Sequence, residues 1–121
     1  MQISEAEFVV MKVVWKSDRP LGSREIISAL EETEDWKPKT VQTLISRLVQ
    51  KDALGFSAEG RNYLYHAKVS ENDCLEELSH FFLERFFGGA LRPMLSHFAG
   101  SKRLSAEEAA LLRKLLEKGR E

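Results

Sequence analysis

Apolar positions recur along the chain with two different periods, and the order in which the periods change predicts its elements. Phe8, Val9, Met11, Val13, Val14 and Trp15 follow in close succession, which marks a first helix pressed into a core, Trp15 included. Ser4 and Glu7 form a capping-box pattern at its start, and Ser17-Asp18-Arg19-Pro20 ends it. A second helix is predicted from Gly22 or Ser23, with Glu25 at the third helical position if Gly22 is the cap. Ile26, Ile27 and Leu30 are its apolar stripe, and the acidic stretch Glu31-Glu32, Glu34-Asp35 is the connection that follows. The third helix has Pro38 in its first turn, where the missing N–H has no partner to lose, and runs to Lys51. Val41, Leu44, Ile45 and Leu48 fit the i, i+3, i+4, i+7 template and are predicted to face inward. The opposite face is Lys39, Thr40, Thr43, Ser46, Arg47 and Gln50, basic and rich in short hydrogen-bonding side chains. Trp36, just ahead, is read as a packing residue or staple rather than a base contact.

The period then changes to two. Leu54–Ser57 and Asn62–Ala67 read as short strands, with Ala58-Glu59-Gly60-Arg61 as the turn and Gly60 free to take a positive φ there. Tyr63 and Tyr65 share one face and Leu64 lies on the other. Ser70 with Asp73 opens a fourth helix carrying Leu75, Leu78, Phe81, Phe82, Leu83, Phe86 and Phe87, which stops at Gly88-Gly89. Its phenylalanines spread over more of the circumference than one small neighbour covers, so burial against more than one partner is expected. A fifth helix fits Ala90 to Phe98 with Pro93 near its start. The segment from Gly100 to Arg103 reads as a loop. Ser105 with Glu108 caps a sixth helix that carries Leu111, Leu112, Leu115 and Leu116 and closes at Gly119.

This order predicts a mainly α fold with a small β-hairpin: a winged helix-turn-helix domain over residues 1–69 and a helical dimerisation region over residues 70–121. The association surface is expected from Leu75, Leu78, Phe81, Phe82, Phe86, Leu112 and Leu115. A helix fits the major groove of B-DNA, about 12 Å wide, so an exposed polar-basic third helix can reach base edges. Lys39, Arg47 and, at the hairpin, Arg61 are candidates for phosphate or guanine contacts, and Thr40, Thr43 and Ser46 for base edges.

Composition narrows the classes. The chain has 121 residues, 43% hydrophobic and 31% charged, an ordinary globular balance for one domain or a small domain with an appendage. A core this small favours oligomerisation. No apolar run approaches the roughly 18 residues of a membrane span, and the first residues lack a secretory signature, so a cytoplasmic protein is expected. One cysteine, Cys74, excludes an internal disulfide framework and a multi-cysteine zinc site. Net charge is −1, which by itself argues against nucleic acid. From Trp36 to Lys68, however, Lys37, Lys39, Arg47, Lys51, Arg61 and Lys68 face only Asp52 and Glu59, a local excess of four positive charges. A one-faced phosphate contact has this distribution.

Other chemistry finds little support. Cys74 and His80 are six apart on one helix, not the four that sets two ligands side by side, and His66 and His97 belong to other elements. No metal site and no cofactor are expected, and Cys74 is expected to be half-buried. The carboxylate pairs Glu31-Glu32, Glu76-Glu77 and Glu107-Glu108 are adjacent helical residues that point about 100° apart. No phosphate-binding glycine loop, HExxH motif or supported Ser/His/Asp order is present, so no catalytic residues are expected. Two other classes stay open at this point. One is a ligand-gated regulator with a pocket among Phe81, Phe82, Phe86 and Phe87; the other is a winged helix used for protein contacts.

Four segments together resemble one family: the opening "ISEAEFVVMKVVW", then "REIISAL", "KTVQTLISRLVQK" and "FFGGALRPMLSHFA". They resemble the penicillinase-repressor family, which includes repressors of β-lactamase and methicillin-resistance genes and, more distantly, copper-responsive repressors. The resemblance runs from Ile3 to about Leu116, and "KT-x-x-T-L-I-x-R-L" is its most specific part. It implies a dimeric winged-helix repressor on a palindromic operator with TACA/TGTA half-sites, the C-terminal helices interlocking two chains. Carried over, Lys39, Thr40, Thr43, Ser46 and Arg47 take recognition-helix positions, and Arg61 and Tyr63 the wing. Antibiotic-responsive members are inactivated by a regulatory protease at an Asn-Phe bond; the matching dipeptide here is His97-Phe98, without the asparagine. The cysteine-rich tail of the copper-responsive members has no counterpart in the last residues of this chain.

Overall fold

The computed structural model describes residues 2–101 and 104–119. Its elements are α1 (Glu5–Lys16), β1 (Leu21–Gly22), α2 (Ser23–Glu31), α3 (Pro38–Gln50), β2 (Leu54–Glu59), β3 (Asn62–Ala67), α4 (Glu71–Phe87), α5 (Leu91–Gly100) and α6 (Ala106–Gly119). The chain packs as two units, Met1–Leu78 and Ser79–Glu121, and the division falls inside α4. Of the predicted loop after α5, Lys102 and Arg103 lie outside the described residues, as does the side chain of Leu116.

The predicted caps form. Ser4 Oγ accepts from the Glu7 N–H at 3.2 Å while Glu7 Oε1 accepts from the Ser4 N–H at 2.8 Å. Ser105 and Glu108 make the same reciprocal pair at 3.0 Å in each direction. Glu25 reaches back to the Gly22 N–H at 3.1 Å, and Ser70 Oγ accepts from Asp73. Each satisfies amides that the first helical turn leaves without partners. At the other end of α4, Gly88 and Gly89 both take positive φ (61° and 82°) and stop the helix.

In the N-terminal unit three helices close over one core. Val10, Met11 and Val14 of α1, Ile26 and Leu30 of α2, and Val41, Leu44, Ile45 and Leu48 of α3 are buried together with Ile3, Leu21, Ala53, Leu54 and Cys74. Each large aliphatic side chain taken fully from water contributes about 1.5–3 kcal/mol. Trp36 packs on the margin of this core. Trp15 also sits at the margin rather than inside it: its ring meets Phe8 edge-on at 5.5 Å, and its indole N–H donates to the Val69 carbonyl at 3.0 Å.

The sheet differs from the sequence expectation in two ways. It has three antiparallel strands in the order β1-β3-β2, because Leu21 and Gly22 pair with Tyr65 and Leu64 on the free edge of β3. The hairpin turn is also tighter. Ala58 and Glu59 pair with Tyr63 and Asn62, leaving a two-residue loop of Gly60 and Arg61. Gly60 sits at φ +62°, the backbone a short hairpin loop demands. Likewise α5 continues to Gly100, past the predicted end at Phe98.

Cys74 is buried, not half-buried. Burial, with the nearby Glu77 and Asp73 carboxylates, pushes its thiol pKa up, so the group stays protonated and unreactive at neutral pH.

Glu7 is buried too, at 1% exposure. It joins the α1 cap to an ion pair with Lys51 Nζ at 2.5 Å. Burial pushes the Glu7 carboxyl up, but the hydrogen bonds from Lys51 and Ser4 outweigh it and hold the group below its ordinary range. A depressed native pKa contributes stability that is complete above the unfolded value, about 4.3, and is lost as pH falls through the native one. Acid unfolding is therefore expected to steepen below about pH 4, and Glu7→Gln to flatten that limb; circular dichroism against pH checks it.

The C-terminal unit is built differently. None of its described residues is buried. Phe81, Phe82, Phe86, Leu91, Leu111 and Leu115 are all exposed, Phe86 at 66%. Among the described residues Phe82 makes ring contacts only with aromatic neighbours on its own helix, with ring centres 5.1 Å from Phe86 and 5.7 Å from Phe87. No helix among the described residues is long and apolar enough to cross a membrane.

Candidate nucleic-acid interface

Helix α3 turns Val41, Leu44, Ile45 and Leu48 into the core and leaves Lys39, Thr40, Gln42, Thr43, Ser46, Arg47 and Gln50 exposed. The same periodicity that buries one face thus presents the other whole. Its N-terminus is built unlike those of α1, α2, α4 and α6. Those four carry Asp or Glu in the first turn, whereas the first turn of α3 has none. Its cap is Lys37, which makes no side-chain cap bond, followed by Pro38 and Lys39. Two cations at the positive end of a helix dipole oppose helix formation unless an anion sits there. A phosphate group has the charge and the acceptor oxygens to occupy that position.

Side-chain bonding refines the candidate roles. Thr43 Oγ1 donates to the Lys39 carbonyl at 3.0 Å. Its proton is committed within the helix, so toward a partner it offers lone pairs and a methyl group. Thr40, Ser46 and Arg47 are exposed with it.

The basic window is narrower than its composition. Lys51 is bound to Glu7, and Lys68 pairs with Asp52. Among the described residues no carboxylate pairs with Lys37, Lys39, Arg47 or Arg61, all of them exposed. The local positive excess is thus carried by the cap and face of α3 and by the wing tip.

The wing packs its base against α3 and extends past the core. Leu54, Phe56 and Ala58 lie opposite Ala67, Tyr65 and Tyr63 on one face. Leu54 is buried, while Phe56 and Tyr63 are about half exposed and meet edge-on at 4.8 Å. Arg61 stands in the loop beyond them. Phe56 was not among the sequence candidates. Its signal was the alternation from Leu54, which puts an aromatic ring on the core-side face of a strand that outruns the core. On the other face the His66 ring lies over Gly55, where an added Cβ would come within 2.6 Å of it and oblige the ring to shift. His66 thus has a packing role, and the described residues contain no cluster of His, Cys, Asp or Glu that fits a metal ion.

His97 and Phe98 lie inside α5, His97 exposed and Phe98 half-buried. Phe81, Phe82, Phe86, Leu75 and Leu115 are exposed, and Leu78 and Leu112 are half-buried.

The arrangement of two helices, an exposed third helix and a hairpin wing has close counterparts. The penicillinase repressor of Bacillus licheniformis is 43% identical over 116 residues, 96% of this chain and 90% of that protein. The methicillin resistance regulatory protein MecI of Staphylococcus aureus (strain N315) is 30% identical over 117 residues, 97% of this chain and 94% of that protein. The solution structure of monomeric Bacillus licheniformis BlaI in complex with the blaP half-operator matches with a TM-score of 0.53 and 44% identity. That match covers 60% of this chain and 88% of the other. The sequence model of the penicillinase repressor family matches residues 3–118. This chain belongs to the penicillinase repressor family.

Proposed function

We propose that the protein is a transcriptional repressor that binds operator DNA through α3 and the wing, and acts as a homodimer rather than as an enzyme. The observation that carries the reading is the exposed face of α3, where Lys37, Lys39 and Arg47 have no carboxylate partner among the described residues and the first turn of the helix holds no acidic residue. Lys39, Arg47 and Arg61 contact phosphate or guanine. Thr40, Thr43 and Ser46 meet base edges, and Tyr63 lies along the backbone beside Arg61. Residues 1–69 form the DNA-binding domain and residues 70–121 the dimerisation region. A relative that binds a half-operator as a monomeric form leaves the other half for a second chain.

The dimer reading rests on the C-terminal unit. Phe81, Phe82, Phe86, Leu91, Leu111 and Leu115 stay exposed on one chain, and apolar surface on this scale calls for a partner. A second copy brings the same residues and gives a symmetric contact, to which Leu75, Leu78 and Leu112 also contribute. Two-fold symmetry then sets the recognition helices about one DNA turn apart, roughly 34 Å. The operator is the TACA/TGTA dyad of the family resemblance. A repressor of this kind works in the cytoplasm, where its DNA is.

Relief of repression by a regulatory protease falls on the His97-Phe98 bond. That bond lies within α5, so cleavage requires local unwinding of the helix before an extended segment can enter a protease. The proposed function is tested by titrating the protein onto a duplex with the dyad half-sites and onto a scrambled duplex. Operator-preferring binding supports it, and equal weak binding to both overturns it.

A further inference from the structure

We infer that the buried Glu7–Lys51 ion pair is a positioning pair for DNA recognition: it holds the last turn of α3, and the wing that leaves it, in the setting that discriminates operator from other DNA. The inference rests on the proposed DNA-binding function and adds residues that make no contact with DNA themselves.

The pair spans two distant parts of the N-terminal unit. Glu7 is the third residue of α1 and its Oε1 already serves the cap. Lys51 is the C-cap of α3, and its Nζ bonds both Glu7 Oε1 at 2.5 Å and the Gln2 carbonyl at 2.8 Å. One ammonium therefore binds the entry of α1 to the exit of α3.

That exit is the joint between the two candidate DNA-contacting elements. The Lys51 N–H donates to the carbonyl of Arg47 at 2.9 Å, so a shift of Lys51 is carried into the turn that bears Arg47. Asp52 follows at φ +65°. The Ala53 N–H closes on the Leu48 carbonyl at 2.9 Å, and Ala53 is fully buried. The wing begins at the next residue. The Ala53 carbonyl accepts from the Lys68 N–H at 2.9 Å, and Lys68 Nζ pairs with Asp52. Helix, joint and both wing strands are thus linked through three consecutive residues.

Apolar packing alone does not fix this setting. The hydrophobic attraction that buries Val41, Leu44, Ile45 and Leu48 is non-directional, so it favours burial of this face without itself selecting the angle at which the last turn of α3 leaves the core. A charged hydrogen bond has one geometry. The pair stabilises the ionised Glu7 but at a cost, since Glu7 Oε2 is buried without a hydrogen-bond partner among the described residues. A half-satisfied buried carboxylate costs desolvation that a well-packed apolar pair avoids. Specification of register is the best-attested return for that cost.

The test compares wild type, E7Q/K51M and K51R. Glutamine keeps the acceptor that the capping box needs, and methionine keeps the volume of lysine. The probes are a duplex selected from a random library by the wild-type protein and a scrambled duplex of the same composition. Thermal unfolding is followed in parallel. The folded E7Q/K51M protein is expected to bind the scrambled duplex like wild type, with the same salt slope, and to lose about tenfold of its operator preference, the size of one good base contact. K51R keeps the pair and is expected to keep the preference. An unchanged preference in folded E7Q/K51M overturns the inference, and so does an equal loss on both duplexes. If E7Q/K51M does not fold, amide exchange on wild type decides. The amides of Ser4 and Glu7 are expected to open together with those of Lys51, Asp52 and Ala53, and independent opening overturns the inference. Wild-type protein that selects no duplex removes the proposed function and the inference with it.

Discussion

Phe86→Asp is expected to produce folded monomers that bind operator about 10²–10⁴-fold more weakly than wild type, the range lost when a second linked binding event disappears. Phe86 is 66% exposed on the single chain. Its replacement therefore removes little from the packing of the subunit, and the N-terminal core, to which it does not belong, keeps its stability. In a symmetric contact the new carboxylate is buried twice without a partner, which opposes association strongly. Sedimentation at several protein concentrations, beside operator titration, separates this result from simple unfolding. A wild-type protein that sediments as a monomer would remove the dimer from the account.

Arg47→Ala carries the second large effect. Arg47 is exposed in the last turns of α3, with no carboxylate partner among the described residues. Truncation frees no buried charge and leaves the core untouched, so its cost is read in binding alone. A loss of about 1–3 kcal/mol on operator is expected, with relaxed preference at one base position, as for a bidentate guanine contact. Equal weakening on operator and scrambled duplexes, with a shallower salt slope, assigns Arg47 to phosphate instead. No loss on either duplex takes Arg47 out of the interface.

Much of the fold was legible because its signals are local. Caps at Ser4, Gly22, Ser70 and Ser105 need a partner only three residues away. The inward face of α3 follows from a period, and Gly88-Gly89 from backbone sterics. The exposed candidates on α3 were legible for the same reason, since burial of Val41, Leu44, Ile45 and Leu48 determines what remains outside.

What the sequence hid was long-range. Strand β1 has two residues and no pattern of its own; it exists because β3 has an open edge. Ala58 and Glu59 are weak strand formers held extended by pairing with Tyr63 and Asn62. Glu7 reads as a cap residue, and nothing near it announces burial against Lys51. For the same reason Lys51 and Lys68 count as free cations in a sequence window although each is paired at home. The positive excess of that window therefore overstated how many unpaired charges the segment carries.

Helix α3 and the wing are proposed to read an operator. The most direct test of that reading is a mobility-shift titration on a duplex carrying the TACA/TGTA dyad, with a scrambled duplex alongside and salt varied. Tight binding is expected, preferring the dyad and weakening steeply as salt rises, because each phosphate neutralised by Lys37, Lys39 or Arg61 releases counterions. Weak binding, equal on the two duplexes and indifferent to salt, would contradict it.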